Sequence, residues 1–229
     1  MKRYLLAGVA AFGLAAGAAG AADAAGWNGF YVAAGGGYGA WTADTTTIDP
    51  TTGVCDLCTP TRQGGTGGLG TVAVGFDHQF TNIVAGVFVD GDLASIKGQV
   101  QDQGPFYVGN ETETSAISEG VRVGWLVTPT TLPYVDIGAS QAHFKGGAMV
   151  DNSSTPSATG NVVSSASRGG FFIGTGIETK INARWSWKVE YRYADFGKAM
   201  LTDTGASTQD NISFHPIVQT GRVEVAFRF

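Results

Sequence analysis

Apolar and polar residues alternate with a period of two along most of the chain, the spacing of β-strands whose two faces meet different surroundings. Over residues 28–41, Phe30, Val32, Ala34, Gly36 and Tyr38 alternate with Tyr31, Ala33, Gly35, Gly37 and Gly39. The same pattern predicts strands over 69–79, where Val72, Val74 and Phe76 oppose Thr71, Ala73, Gly75 and Asp77, and over 83–93, where Ile83, Ala85, Val87 and Val89 oppose Val84, Gly86, Phe88, Asp90 and Asp92. It continues at 116–127, with Val121, Val123, Trp125 and Val127 against Gly120, Arg122 and Gly124. Residues 133–144 set Val135, Ile137 and Ala139 against Asp136, Gly138 and Ser140, and residues 168–180 set Phe171, Ile173 and Ile177 against Gly174, Gly176 and Glu178. Residues 184–196 carry Trp187, Val189, Tyr191 and Tyr193 against Lys188, Glu190 and Arg192. The terminal strand carries Val223, Val225, Phe227 and Phe229 against Arg222, Glu224, Ala226 and Arg228.

The connections between these eight strands fall into two lengths. Short turns are expected near 79–82, 128–132 and 180–184, and long loops rich in Thr, Ser, Asp, Asn and Gly at 42–68, 97–113, 145–167 and 198–215. Strict alternation of short and long suits an antiparallel barrel with tight turns at one rim and loops at the other. A soluble sandwich also alternates, but its apolar face meets a shared core and its charged face meets water. Here the polar face is mostly Gly, Ala and Ser with isolated charges, which a crowded barrel interior selects. Trp125, Trp185 and Trp187, together with Phe227 and Phe229, gather near the short turns, as an aromatic girdle at a membrane boundary would. The expected fold is all-β: an eight-stranded antiparallel up-and-down transmembrane β-barrel with short periplasmic turns and four long extracellular loops.

The start of the chain and its composition extend that picture. Lys2 and Arg3, an apolar run from Leu5 to Leu14 and an Ala/Gly stretch to Ala22 read as an export signal. The run is shorter than the roughly 20 residues of a spanning helix. Residues 1–22 are therefore expected to be a signal peptide and 23–229 the barrel domain. Losing Lys2 and Arg3 takes the formal charge from -5 to -7, and the remainder has no Lys/Arg-rich run. Nucleic acid is excluded as the natural partner on that ground. Glycine, with 35 residues, recurs inside apolar segments such as Gly35 to Gly37, where a helix would lose about 1 kcal/mol per position relative to Ala.

The alternation places Asp90, Asp92, Asp136, Glu178, Glu190 and Glu224 in one lumen with Arg122, Lys188, Arg192, Arg222 and Arg228. An eight-stranded barrel is just wide enough for side chains to fill, and an unpaired charge away from water is costly. Acids and bases are thus expected to pair, with a narrow ion path among them as the alternative. Cys55 and Cys58, inside the first long loop, are expected to close as a local disulfide in an oxidising periplasm. A redox motif would need a thioredoxin-like setting and a zinc site further ligands nearby, and this region has neither. His78, His143 and His215 are scattered, and Ser140 and His143, three apart on one strand, point to opposite faces. Neither a metal cluster nor a nucleophile and base pair is expected, and no cofactor is implied.

Several segments carry a resemblance. Trp27-Asn28-Gly29-Phe30-Tyr31-Val32, Val87-Phe88-Val89-Asp90-Gly91-Asp92, Val121-Arg122-Val123-Gly124-Trp125, Gly174-Thr175-Gly176-Ile177-Glu178 and Val189 through Gly197 resemble small alphaproteobacterial surface barrels, relatives of OmpA and OmpX in architecture. The terminal Phe227-Arg228-Phe229 resembles the signal read by the barrel-assembly machinery, which makes Val223, Val225, Phe227 and Phe229 the expected assembly signal. The resemblance implies a porin-like protein of the Gram-negative outer membrane and fixes neither ligand nor activity. The expected partners are outer-membrane lipids, the assembly machinery and an unidentified extracellular ligand. The preferred expectation is a non-enzymatic structural and surface protein. The alternatives are a small ion pore, or a binding module in which Phe106, Tyr107 or His215 contacts haem or a host molecule.

Overall fold

The computed structural model describes residues 26–49, 51–102, 107–151, 157–204 and 211–229. The expected export signal lies outside them. The strands are β1 (Gly29–Ile48), β2 (Cys55–Phe80), β3 (Ile83–Asp102), β4 (Tyr107–Trp125), β5 (Thr131–Asp151), β6 (Ser157–Val163), β7 (Ala166–Lys180), β8 (Trp185–Asp195), β9 (Ala199–Thr204) and β10 (Asn211–Arg228). Each runs antiparallel to its neighbours, and β1 pairs with both β2 and β10, so the sheet closes into a ring. β6 and β7 follow one another along a single stave, and so do β8 and β9, giving eight staves from ten segments. The second break falls at Phe196 to Lys198, where Gly197 takes a φ of 64° and donates its N–H to Asp195 Oδ1 at 2.8 Å.

The staves are longer than the sequence pattern predicts. Most of what composition marks as long loop is strand: 42–48 in β1, 55–68 in β2, 97–102 in β3, 107–113 in β4 and 145–151 in β5. The same holds for β6, for β9 and for the start of β10. β1 has 20 residues and β2 has 26, whereas about 9–11 tilted residues cross a bilayer core. Roughly half of each long stave therefore stands clear of the membrane. The β1–β2 connection is a tight turn, with Asp49 N–H donating to Val54 O at 2.9 Å and Gly53 N–H to Asp49 O at 2.8 Å.

The apolar face changes sides partway up the barrel. Toward the short-turn end, Phe30, Val32, Val72, Val74, Val87, Val121, Val123, Val135, Ile137, Val223 and Val225 are exposed on the outer wall. Toward the other end it is the inward residues that are apolar: Trp41, Ile96, Val100, Phe144, Met149, Leu201, Ile212 and Phe214 are buried in one cluster. The outward positions there are mostly polar, among them Asp44, Arg62, Lys97 and Lys145, with Ile48, Val150, Val162 and Met200 as exposed apolar exceptions. Lipid outside selects the first arrangement and water outside the second, on the same continuous strands.

Two irregularities make this inversion fit the chain. In β4 the ladders to β3 and β5 skip near Ala94, Ser95 and Thr114, so the inward positions pass from even numbers (Ser118, Gly120, Arg122) to odd ones (Glu111, Glu113). In β5 a second slip around Gly146 and Gly147 moves the inward set from Ala142 and Phe144 to Met149. A single extra residue in one strand flips every side chain beyond it.

The short turns, both ends of the described chain and the aromatic belt share one rim, which this topology assigns to the periplasm. An epitope inserted after Thr52 should be labelled on intact cells, and one between Thr130 and Thr131 only after the outer membrane is permeabilised. Antibody labelling in the opposite order would invert the barrel.

Candidate functional site

The lower lumen is filled by charge. Arg122 of β4 donates from Nε to Asp77 Oδ1 at 2.9 Å and from Nη1 to Glu178 Oε2 at 2.8 Å, joining β2 to β7. Arg228 of β10 meets the same Asp77 at 2.7 Å, and Ser186 Oγ donates to Glu178 Oε1 at 2.5 Å. The ring of Tyr31 lies 4.8 Å and that of Tyr134 5.3 Å from the Arg122 guanidinium carbon. Asp77 fits because its neighbour across the ladder is Gly86, whose absent Cβ would collide with the carboxylate.

A second group sits beside the first. Arg192 of β8 forms a two-pronged contact with Asp90 of β3, at 3.1 and 2.8 Å, and also meets Glu190 at 2.9 Å. β3 and β8 belong to opposite staves of the ring, so this pair crosses the whole interior. Arg222 bonds Asp92 at 2.7 Å and reaches Asp90 at 3.4 Å, and Tyr134 Oη donates to Glu190 Oε2 at 3.0 Å. The Phe172 ring lies 4.1 Å from the Arg192 guanidinium carbon. Lys188 Nζ lies 3.2 Å from Glu224 Oε2, close enough for an ion pair but without hydrogen-bond geometry. Asp136 faces inward with both carboxylate oxygens lacking a hydrogen-bond partner. The sequence pattern left Asp77 out of the lumen charges, although it is fully buried and bonded to two arginines.

Above the charges lies the apolar layer. Trp41, Phe144 and Phe214 stack edge-to-face, at 5.7 Å for Trp41 with Phe214 and 5.6 Å for Phe144 with Phe214. The Trp41 indole N–H donates to Ile96 O at 3.1 Å. Glu111 and Glu113 enter this layer because of the β4 slip, and composition had put both in a loop. Glu111 is 0% and Glu113 4% exposed, and neither Glu111 oxygen has a hydrogen-bond partner. Burial pushes the Glu111 carboxyl up to about 8. Burial likewise raises Glu113 to about 7, with the Asp92 charge adding to the rise and Arg222 opposing it.

The other sequence candidates scatter. Trp125, Trp185 and Trp187 are exposed on the outer wall at the short-turn rim, and the Trp185 ring meets Phe227 at 5.0 Å. Val223, Val225 and Phe229 are exposed on the same wall. Trp27, which the pattern assigned no role, is buried under that rim between Lys180 and Arg228. Cys55 and Cys58 are joined to each other at the start of β2 and not inside a long loop. Ser140 faces the lumen and shares a 2.9 Å hydrogen bond with Ser118, while His143 faces outward to Ser167 at 2.9 Å, so they form no pair. His215 Nε2 is held by Asp195 at 2.7 Å. Phe106 lies outside the described residues, as does the side chain of Tyr107. Among the described residues no group of three or more His, Cys, Asp or Glu is placed to hold a metal ion.

Comparison with known proteins agrees with this architecture. Residues 7–225 match the profile of the outer membrane protein beta-barrel domain. The chain is 27% identical over 168 residues to the 31 kDa outer-membrane immunogenic protein of Brucella melitensis, covering 71% of this chain and 67% of that protein. The protein of the same description from Brucella suis matches equally. The crystal structure of the outer membrane protein OprG from Pseudomonas aeruginosa superposes with a TM-score of 0.60 at 14% identity, over 90% of this chain and 99% of OprG. That likeness is one of fold.

The buried acids give stability a pH dependence whose sign follows from their shift. In the unfolded chain Glu111 titrates near 4.5, and in the barrel near 8. Between those values the folded state holds a proton that the unfolded state has lost, so stability falls as pH rises through this window and levels off outside it. Urea midpoints in lipid vesicles should drop between pH 5 and pH 8. Glu111→Gln should flatten most of that slope and raise the midpoint at pH 8. An unchanged slope would mean that the Glu111 carboxyl is hydrated.

Proposed function

Because the chain belongs to the outer membrane protein beta-barrel domain family, and so resides in the Gram-negative outer membrane, we propose that it is a closed structural barrel. In this reading the lower half anchors and stiffens the membrane and the upper half carries a surface platform. The observation that carries the reading is the Arg192–Asp90 contact between opposite staves, with the Trp41, Phe144 and Phe214 layer stacked above it. Ions would have to part a buried salt bridge and then an aromatic layer, each held by close packing. The extension of the staves beyond the membrane supports the display role, and the Brucella relatives are described as immunogenic. The terminal strand, apolar outward through Val223, Val225 and Phe229, would serve as the signal for insertion. The reading assigns no catalysis.

A narrow cation path is the second reading, favoured by the unpartnered Asp136 carboxylate in a lumen with more acids than bases. Planar-bilayer recording of the purified, refolded protein separates the two. The closed barrel should give no steady discrete channels, whereas Asp90→Ala combined with Phe214→Ala should begin to leak. Regular single-channel steps from the unaltered protein would replace the closed reading with the pore.

A further inference from the structure

The outer wall carries a feature that the closed lumen does not explain. Where the β3–β4 and β4–β5 ladders slip, the wall is indented by a groove of about 460 Å³ lined by Val72, Leu93, Ile117, Gln141, His143 and Ser167 among others. Its apolar lining is continuous with the lipid-facing belt, since Val72, Leu93 and Ile117 are among that belt's exposed residues. Above it, Lys97 of β3, Thr112 of β4 and Lys145 of β5 stand in one cross-strand row, and both lysines are exposed on the outer wall. At ~4.8 Å between strands the lysines are about 10 Å apart, so two flexible ammonium groups can close on one anion. Among the described residues neither lysine has a carboxylate partner, whereas Arg62, on the β1–β2 wall, is paired with Asp44 at 3.1 Å.

The height of this row is informative. Along β4, Trp125 marks the periplasmic edge of the belt, and Thr112 lies thirteen residues above it. At ~3.3 Å per residue and a tilt of ~40° that is about 33 Å, against an apolar band ~25 Å tall. The lysines therefore stand about 8 Å above the acyl boundary, at the depth of headgroup phosphates, with Leu93 and Ile117 below them among the chains. Glu119, exposed on the same face of β4, is about 18 Å lower by the same measure, where it meets acyl chains and not the headgroup.

We propose that this groove and lysine row form a binding site for a phosphorylated glycolipid of the outer leaflet, with one acyl chain in the groove and a phosphate between Lys97 and Lys145. Thr112, in the row of the lysines, offers a hydrogen bond to the sugar. Gln141, His143 and Ser167, in the rows of Leu93 and Ile117 below it, offer hydrogen bonds to the acyl linkages of the sugar, which are more numerous than those of a glycerophospholipid. The inference is independent of whether the lumen conducts.

Native mass spectrometry of the refolded full chain in detergent, mixed with bisphosphorylated lipid A, tests it. The protein should retain one lipid A, and Lys97→Gln with Lys145→Gln should weaken retention on the order of thirtyfold, the factor expected for two near-surface cations. Lys97→Arg with Lys145→Arg should restore it, and Ser167→Phe, which fills the groove without changing charge, should weaken it. Arg62→Gln with Lys198→Gln removes the same charge elsewhere and should leave retention unchanged. Equal loss in that control, equal retention of dephosphorylated lipid A or of phosphatidylglycerol, or no loss in the lysine variant would each overturn the proposal.

Discussion

One arginine holding one carboxylate across the full width of the ring is the constraint to which the rest of the lumen is fitted. Arg192 and Asp90 come from opposite staves, and both are almost fully buried. Neither charge could be left alone there, because a buried unpaired ion costs several kcal/mol. Arg222 therefore shares Asp90 and takes Asp92, Glu190 shares Arg192, and Tyr134 satisfies Glu190. The separate Arg122, Asp77, Glu178 and Arg228 group closes the interior nearer the periplasmic rim. Each charge fixes the position of the next, and the small inward residues between them are the room this packing requires.

Above the charges the barrel behaves as a different kind of protein on the same strands. Its surroundings change from lipid to water, so the apolar residues move inward and pack as a soluble β-protein would pack them. Trp41 is the pivot on β1, following Tyr38 on the outer wall by three residues. The slips in β4 and β5 adjust the inward parity, and β4's slip also carries Glu111 and Glu113 into the core. The indentation beside the β4 slip near Thr114 is the groove on the β3–β5 wall. A single local irregularity thus accompanies both an interior acid pair and an exterior groove.

The lower barrel was legible in the sequence because lipid outside and close packing inside impose a strict period of two over eight segments. The upper barrel was not, for two physical reasons. Thr, Gly, Asp and Ser read as loop by composition, yet Thr45 and Thr47 are fully buried strand residues whose β-branched side chains suit a pleated sheet. The inversion of the apolar face also breaks a pattern that assumes one environment per face. The inward side of the lumen charges could be read from alternation, but the partner of each could not. Arg122 is level with Asp136 in the ladder and instead bonds Asp77 and Glu178 on other staves. Glu111 and Glu113 could not be placed at all without knowing where β4 slips.

A sealed lumen requires the Arg192–Asp90 pair to be a direct, desolvated contact across the ring. A double-mutant cycle with Asp90→Asn, Arg192→Leu and the combination, measured by urea unfolding in lipid vesicles, reads that contact alone. A coupling of about 2 kcal/mol or more is expected for a buried charge pair of this geometry. A coupling near zero would mean that water separates the two side chains and that the barrel is open through its centre.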